Sequence, residues 1–332
     1  MRRKTIKDVA QEAGVSIGTV SAVLNRRDSV RLVTRKRVLK IMDSLNYRPV
    51  EAARRRLGSP REKTLGLVVK EIHNPYFADI IVGAQEEARK HDFRLLVMSS
   101  EQVFSREVDA VRVLVAKDID GLIINPLLEL GTLSSHFQDL EANNIPFVMI
   151  EGLSGDVSTA SVVDIDNERG AFDATMHLLE AGHTELVHLA GPKYSQHSSE
   201  RSAGVLRAAP GARIVHAGAT LEDGFNAVRD QLKGCSFTAL VCYNDLVAIG
   251  AMRQLMDQGL LVPKDVSIVG FDDIDVASYL GVPLTTVRIP KREMGRQAAA
   301  IAIEQIHSTE DSKSRRILLD AELIVRSSTR KR

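Results

Sequence analysis

Apolar residues near the start of the chain recur with helical spacing. Ile6, Val9, Ala10 and Ala13 stand at i, i+3, i+4 and i+7, which marks one buried helix face. Thr5 is placed to cap that helix and Gly14 to end it, since glycine accepts the left-handed conformation at a helix terminus. Ser16 then caps a second helix with Val20, Val23 and Leu24 inward. Thr34 caps a third, with Val38, Ile41, Met42 and Leu45 at the same spacing. Helix, short glycine turn, helix is the helix-turn-helix arrangement. Its second helix is the one that enters a DNA major groove. The outward positions of that helix are Ile17, Gly18, Ser21, Ala22 and Asn25.

From residue 64 the pattern changes. Short apolar runs at Leu65–Val69, Leu95–Met98, Gly121–Ile124 and Phe147–Ile150 read as buried strands. Helical spacing separates them: Phe77, Ile80, Ile81, Ala84 and Ala88, then segments 105–117 and 132–143. A second series of strands follows at Ser161–Val163, Leu186–Ala190, Ile214–His216, Ala239–Cys242 and Ser267–Val269. Helices near 168–181, 198–207, 222–232 and 245–258 lie between them. Thr285–Arg288, a helix at 291–307 and a hairpin-like pair at 316–326 close the pattern. Alternating strand and helix predicts an α/β fold of parallel sheets with helices on both faces.

Charge sharpens the division. The 332 residues carry a net charge of +1, but residues 1–63 hold 17 basic and 6 acidic side chains, and the remainder is net −10. A patterned basic head on an acidic body is the footprint of a nucleic-acid reader attached to something else.

Two stretches carry a family resemblance. Thr5-Ile-Lys-Asp-Val-Ala-Gln-Glu-Ala-Gly-Val-Ser-Ile-Gly-Thr-Val-Ser-Ala-Val-Leu-Asn25 and Leu45-Asn-Tyr-Arg-Pro49 closely resemble the opening of lactose/galactose-repressor (LacI/GalR) family regulators, and the resemblance continues through the body. It departs in two places. The family usually has an arginine after Thr-Val-Ser, able to grip a guanine edge with two hydrogen bonds, where this chain has Ala22; Gly18 likewise offers no side chain. Base reading by this helix is therefore thin. Ile17 is left as an apolar contact for a thymine methyl, while Thr19, Ser21 and Asn25, with the caps Thr5 and Ser16, position the helix on phosphates.

Residues 49–63 are basic, with Arg54, Arg55, Arg56, Arg61 and Lys63. Gly58-Ser59-Pro60 favours a tether, but Glu51–Leu57 holds strong helix formers. The resemblance implies a hinge helix here that folds when two protomers meet on DNA, with a leucine wedged into the minor groove. That leucine normally follows the proline by seven residues, where this chain has Arg56 and Leu57 is the eighth. Leu57 is favoured as the wedge; the alternative is Arg56 reading a narrow A·T groove.

For the body, the resemblance implies two α/β lobes like those of periplasmic sugar-binding proteins. The chain would cross between them near 161–165, 286–290 and 319–322. The expected organisation is a helix-turn-helix DNA-binding domain (1–48), a hinge (49–63), one lobe from 64–160 plus 291–318, and a second from 161–290 plus 319–330. Arg207 to Gly224 is shorter than the family spacing, so the second lobe is expected to lack part of a helix–loop.

Ligands of parallel α/β folds bind beyond the carboxyl ends of strands, so the residues there are the candidates. Tyr76 and Phe77 follow the first strand, as core residues or as an aromatic platform. Glu151 follows Ile150, where the family more commonly has Asp. Ser195, His197 and Arg201 follow Gly191-Pro192, and the spacing of Arg201 to Gly204 matches the family arginine that grips the effector. After Cys242, Asn244 is the expected ligand contact and Asp245 the helix cap. After Val269, Asp272 aligns with the family's second effector carboxylate, and Asp273 is assigned to structure. One arginine, carboxylates and an asparagine suit a polyhydroxylated, sugar-like effector; a purine or small acid also fits. Arg201, Asn244 and Asp272 are expected to be exposed without ligand and dispensable for stability.

The other function classes fit less well. No phosphate-loop, dinucleotide-loop or metal-ligand spacing occurs among the motifs, so no cofactor, metal or catalytic residue is expected and the chain is not an enzyme. Cys235 and Cys242 neither staple a fold nor make a cysteine zinc site. With no membrane-length apolar run and no secretory signal, the expected location is the cytoplasm, associated with the nucleoid. A solute receptor explains the body but not the basic head; a DNA-architectural protein explains the head but not the paired lobes. The expected partners are a palindromic double-stranded operator, a small-molecule effector and a second copy in a homodimer, with no leucine heptads for a tetramer.

Overall fold

The computed structural model describes residues 6–24, 30, 32–44, 63–127, 135–152, 160–308 and 314–332. The chain forms two compact units, Met1–Lys63 and Thr64–Arg332.

The first unit contains helices α1 (Ile6–Ala13), α2 (Ile17–Leu24) and α3 (Leu32–Ser44). Val9, Ala10 and Ala13 of α1 pack with Val20 and Val23 of α2 and Val38 of α3 in one small core. Gly14, at φ +61°, ends α1 as its spacing predicts, and the Val15 amide returns to the Ala10 carbonyl. The third helix begins at Leu32, so Thr34 lies inside its first turn and is not its cap. The inward residue Val38 still reaches the core, because the helical phase is set by the apolar stripe and not by the first residue.

The second unit holds two six-stranded sheets. The first uses β1 (Lys63–Val69), β2 (Phe93–Ser99), β3 (Gly121–Ile124), β4 (Phe147–Ile150), β5 (Ser161–Ile165) and β11 (Arg316–Leu319), in the order β11-β5-β4-β3-β1-β2. The second uses β6 (Leu186–Ala190), β7 (Arg213–His216), β8 (Ala239–Cys242), β9 (Ser267–Asp272), β10 (Thr285–Arg288) and β12 (Glu322–Ile324), in the order β12-β10-β9-β8-β6-β7. Strands β3, β4, β5, β6 and β8 are buried at every residue, as expected of parallel strands covered by helices on both faces.

The helices are α4 (Tyr76–Lys90), α5 (Phe104–Ala116), α6 (Ser135–Ala142), α7 (Asn167–Glu180), α8 (Gln196–Ala208), α9 (Leu221–Asn226), α10 (Asp245–Asp257) and α11 (Lys291–His307). A π-helical turn, Ala227–Gln231, prolongs α9. Between Arg207 and Gly224, residues 209–212 connect α8 to β7 and 217–220 connect β7 to α9.

Two sequence expectations are corrected. Strand β5 does not open the second series. It pairs in parallel with β4 and β11, so the first crossing between sheets comes after Ile165. The pair at 316–326 is not a hairpin either: β11 lies parallel to β5 in the first sheet, whereas β12 runs antiparallel to β10 in the second. Asp320-Ala321 carries the chain from one sheet to the other. Apolar runs identify strands, but a partner strand more than 150 residues away leaves no local mark.

Candidate functional site

In the first unit, two of the positions of α2 read as outward, Ile17 and Gly18, are exposed. Ile17 is 44% exposed and Gly18 is exposed, while Thr19, Ser21 and Ala22 are half-buried. Ser16 accepts from the Thr19 amide at 3.0 Å, and the two hydroxyls share a 2.9 Å hydrogen bond. Ser16 is therefore the cap of α2, with its hydroxyl already engaged at the end that faces outward. Thr5, Asn25, Arg54, Arg55, Arg56 and Leu57 lie outside the described residues.

In the second unit, Tyr76, Phe77, Glu151, Ser195, His197, Arg201, Asn244 and Asp272 all line one cavity of about 500 Å³. They come together because each follows the carboxyl end of a strand, where the two sheets present their loops.

The first sheet contributes an acidic corner. Glu151 directly follows β4 with φ +57°, a conformation that residues other than glycine rarely adopt. Its carboxylate accepts from the Tyr76 hydroxyl at 2.5 Å and from the Asn125 amide at 2.9 Å. Burial alone would raise this carboxyl. The charges of His197 when protonated, Lys70 and Arg201, together with the Tyr76 hydrogen bond, outweigh burial and hold it at about 2. Tyr76 and Phe77 are both buried, ring edge to face at 5.0 Å. Tyr76 thus packs in the wall and also orients the carboxylate.

The second sheet contributes Arg201, whose position follows from packing. A Cβ on Gly204 would meet the Glu168 carbonyl at 2.1 Å, so only glycine lets α8 approach α7 this closely. One turn earlier, Arg201 Nε donates to Asn167 Oδ1 (2.9 Å) and Nη1 to the Tyr243 carbonyl (2.6 Å). Its guanidinium lies 3.7 Å from the Phe271 ring centroid and 4.8 Å from that of Tyr243.

Asp272 ends β9 at φ +112°, and Lys291 Nζ secures the turn by donating to the Asp272 and Asp273 carbonyls. The Asp272 carboxylate stands 3.6 Å from Arg201 Nη1. Burial pushes its carboxyl well above the ordinary range despite the attraction of Arg201. Burial also lowers His197 to about 4, against the pull of Glu151, so its ring is neutral at neutral pH.

The structure overturns two expectations. Arg201 and Asn244 are 4% exposed and Asp272 is 5% exposed; the first two are buried in the protein's own hydrogen bonds and Asp272 is buried beside Arg201, not open to solvent. And Asn244, not Asp245, caps α10, accepting from the Val247 amide at 2.8 Å while donating to the Ala219 carbonyl. Asp245 is fully buried and accepts from Thr286 Oγ1 and the Ile274 amide, which fixes the loop after β9. Asp273, assigned to structure, pairs with Arg288 and Arg326.

The sequence reading passed over Lys70 and Tyr243, which also line the cavity. Both directly follow a strand, so the rule that found Asn244 would have found them too. Among the described residues, no group of His, Cys, Asp and Glu could hold a metal ion, and no helix is long and apolar enough to cross a membrane.

Comparisons with known proteins agree with this two-part architecture. Residues 5–50 match the model of bacterial regulatory proteins of the lacI family, and residues 175–329 match a periplasmic binding protein-like domain. The HTH-type transcriptional repressor PurR of Vibrio campbellii is 33% identical over 338 residues, covering 98% of this chain and 99% of that protein. Among solved structures, a complex of the transcriptional regulator CelR with cellobiose is 30% identical, with a TM-score of 0.71 over 98% of this chain and all of that one. The lac repressor dimer bound to operator and the anti-inducer ONPF is 27% identical, with a TM-score of 0.71 over 99% of this chain and all of that one.

Proposed function

The chain belongs to the lacI family of bacterial regulatory proteins, and from that premise we propose that it is a transcriptional repressor whose operator affinity is set by a small polar effector in the cavity of the second unit. The single observation that carries the reading is that one chain holds both parts. A basic helix-turn-helix unit stands at one end, and a cavity whose lining includes Arg201, Glu151, Asp272 and Asn244 lies in the other unit.

In this reading α2 lies in the major groove, with Ile17 on a base edge and Ser16, Thr19 and Ser21 near phosphates. Residues 49–63 form the hinge, where Arg54, Arg55 and Arg56 meet the backbone and Leu57 enters the minor groove. Two copies act together on a palindrome. The effector biases one of two arrangements of the lobes and thereby the hinge, so it acts only as far as its affinity differs between them. The chain regulates and does not catalyse.

The test is selection of duplexes from a random pool by the full-length protein, with sedimentation of the free and bound protein. A palindromic consensus bound by a dimer is the expected result. Equal affinity for all duplexes, or a monomer at micromolar concentration with and without DNA, would overturn the reading.

A further inference from the structure

The polar wall of the cavity divides into groups whose hydrogen bonds the protein already makes and groups it leaves open. Glu151 has both oxygens engaged, by Tyr76 and Asn125. Asn244 uses its amide oxygen to cap α10 and its amide nitrogen on Ala219. Ser195 caps α8 through the Ser198 amide. Glu71, half-buried in the same wall, is held by Gln102 at 2.9 Å. Lys70 is different. It is half-buried, lines the cavity within electrostatic reach of Glu151 and His197, and its ammonium makes no hydrogen bond to the described residues. His197 is 7% exposed and its ring likewise makes none, and the Asp272 side chain accepts none. Of the ionisable groups in this wall, Glu151 and Glu71 are hydrogen-bonded, Asp272 stands 3.6 Å from Arg201, and Arg201 is hydrogen-bonded to Asn167 and Tyr243. The cation whose charged group makes no hydrogen bond to the described residues is Lys70.

The backbone adds positive potential near Lys70. The first turns of α4, α8 and α10 all border the cavity, through Tyr76, His197 and Asn244 with the residues before them. Helix amino ends carry partial positive charge and favour anions. A neutral ligand closing over Lys70 would desolvate its ammonium without replacing the lost water contacts, and that is costly for a charged group. A ligand bringing an anion removes the cost.

Resting on the reading that this cavity holds the effector, we propose that the effector is a polyhydroxylated acid, its carboxylate or phosphate paired with Lys70 and its hydroxyls bonded to His197 and Asp272. A hydroxyl suits both partners. A neutral imidazole donates from one nitrogen and accepts at the other, and a carboxyl group accepts whether or not it carries its proton.

The experiment is calorimetric titration of the full-length protein with sugar acids, each beside its neutral parent: gluconate and glucuronate with glucose, galacturonate with galactose, and glucose 6-phosphate with glucose. The expected result is at least one acid bound about tenfold or more tighter than its parent; whether it is a carboxylate or the phosphate identifies the anion. Lys70→Gln should abolish that preference, and Lys70→Arg should keep most of it, with the thermal midpoint of each ligand-free variant showing that it is folded. If no acid is preferred over its parent, including the case in which none binds, or if Lys70→Gln keeps the preference, the proposal fails. Binding of selected duplexes is measured on the same samples. Intact duplex binding without acid preference overturns the acidic effector alone, whereas loss of sequence-selective duplex binding overturns the regulatory reading.

Discussion

Burial changes what can be asked of Arg201. A side chain that is 4% exposed and bonded to Asn167 and Tyr243 contributes to stability as well as to binding. Arg201→Ala should abolish the response to effector and should also lower stability in urea by about 3 kcal/mol, the cost of stranding buried hydrogen-bond partners and the neighbouring Asp272. An unchanged unfolding midpoint would restore the view that the arginine waits in solvent. Asp245 gives a pH test. Burial raises its carboxyl from 3.8 to about 7, against the Thr286 and Ile274 hydrogen bonds. The folded state therefore holds this proton more tightly than the unfolded one. The group does no harm to stability below 3.8, and stability is lost as pH rises from there through about 7. Asp245→Asn keeps the shape without the charge. Relative to the parent it should gain stability across that window, by on the order of 3 kcal/mol, and level off above it; a pH-independent difference in denaturation would contradict the assignment. At this scale the sequence showed which residues stand at strand ends. It did not show their burial, because Arg201 gains Asn167 and Tyr243 only when distant segments meet.

Helix packing in the second unit depends on close approach. In the contact of α4 with α11, a Cβ on Gly83 would lie 1.9 Å from the Arg292 carbonyl, and one on Gly295 would lie 2.0 Å from that of Ile80. Alanine has the better intrinsic helix propensity by about 1 kcal/mol, yet here it must push two backbones apart. Gly83→Ala should cost about 2–3 kcal/mol in chemical denaturation, and a stabilised variant would show that the helices are not in contact at this point. Helix and strand positions were readable because period and punctuation are local: β3, β4, β6 and β8 begin and end where their apolar runs do. Sheet membership was not readable. Strand β5 looks like the first of a new series, yet its pairing with β4 and β11 assigns it to the first sheet. The same holds for β11 and β12, which are neighbours in sequence and members of different sheets.

Across the whole molecule, charge and function divide together. With residues 1–63 at net +11 and little base-reading chemistry on α2, affinity for DNA should come mainly from phosphates and from residues 49–63. Binding should fall by about a thousandfold or more between 50 and 200 mM salt if six or more phosphates are contacted. Leu57→Ala should remove sequence-selective binding and DNA bending while leaving non-specific binding similar; a silent Leu57→Ala with a damaging Arg56→Ala would shift the wedge by one residue. The two-part plan was legible from the charge division and the helix-turn-helix spacing, whereas the open ammonium of Lys70 needed the assembled cavity. The central claim is that the cavity and the DNA-reading unit are coupled, and coupling is reciprocal by thermodynamic necessity. The most direct test takes the solute that most raises the thermal midpoint of the full-length protein and measures its affinity with and without the selected duplex. The duplex should change solute affinity by the same factor by which the solute changes duplex affinity, roughly 5- to 150-fold. Identical solute affinities in the two titrations would contradict it.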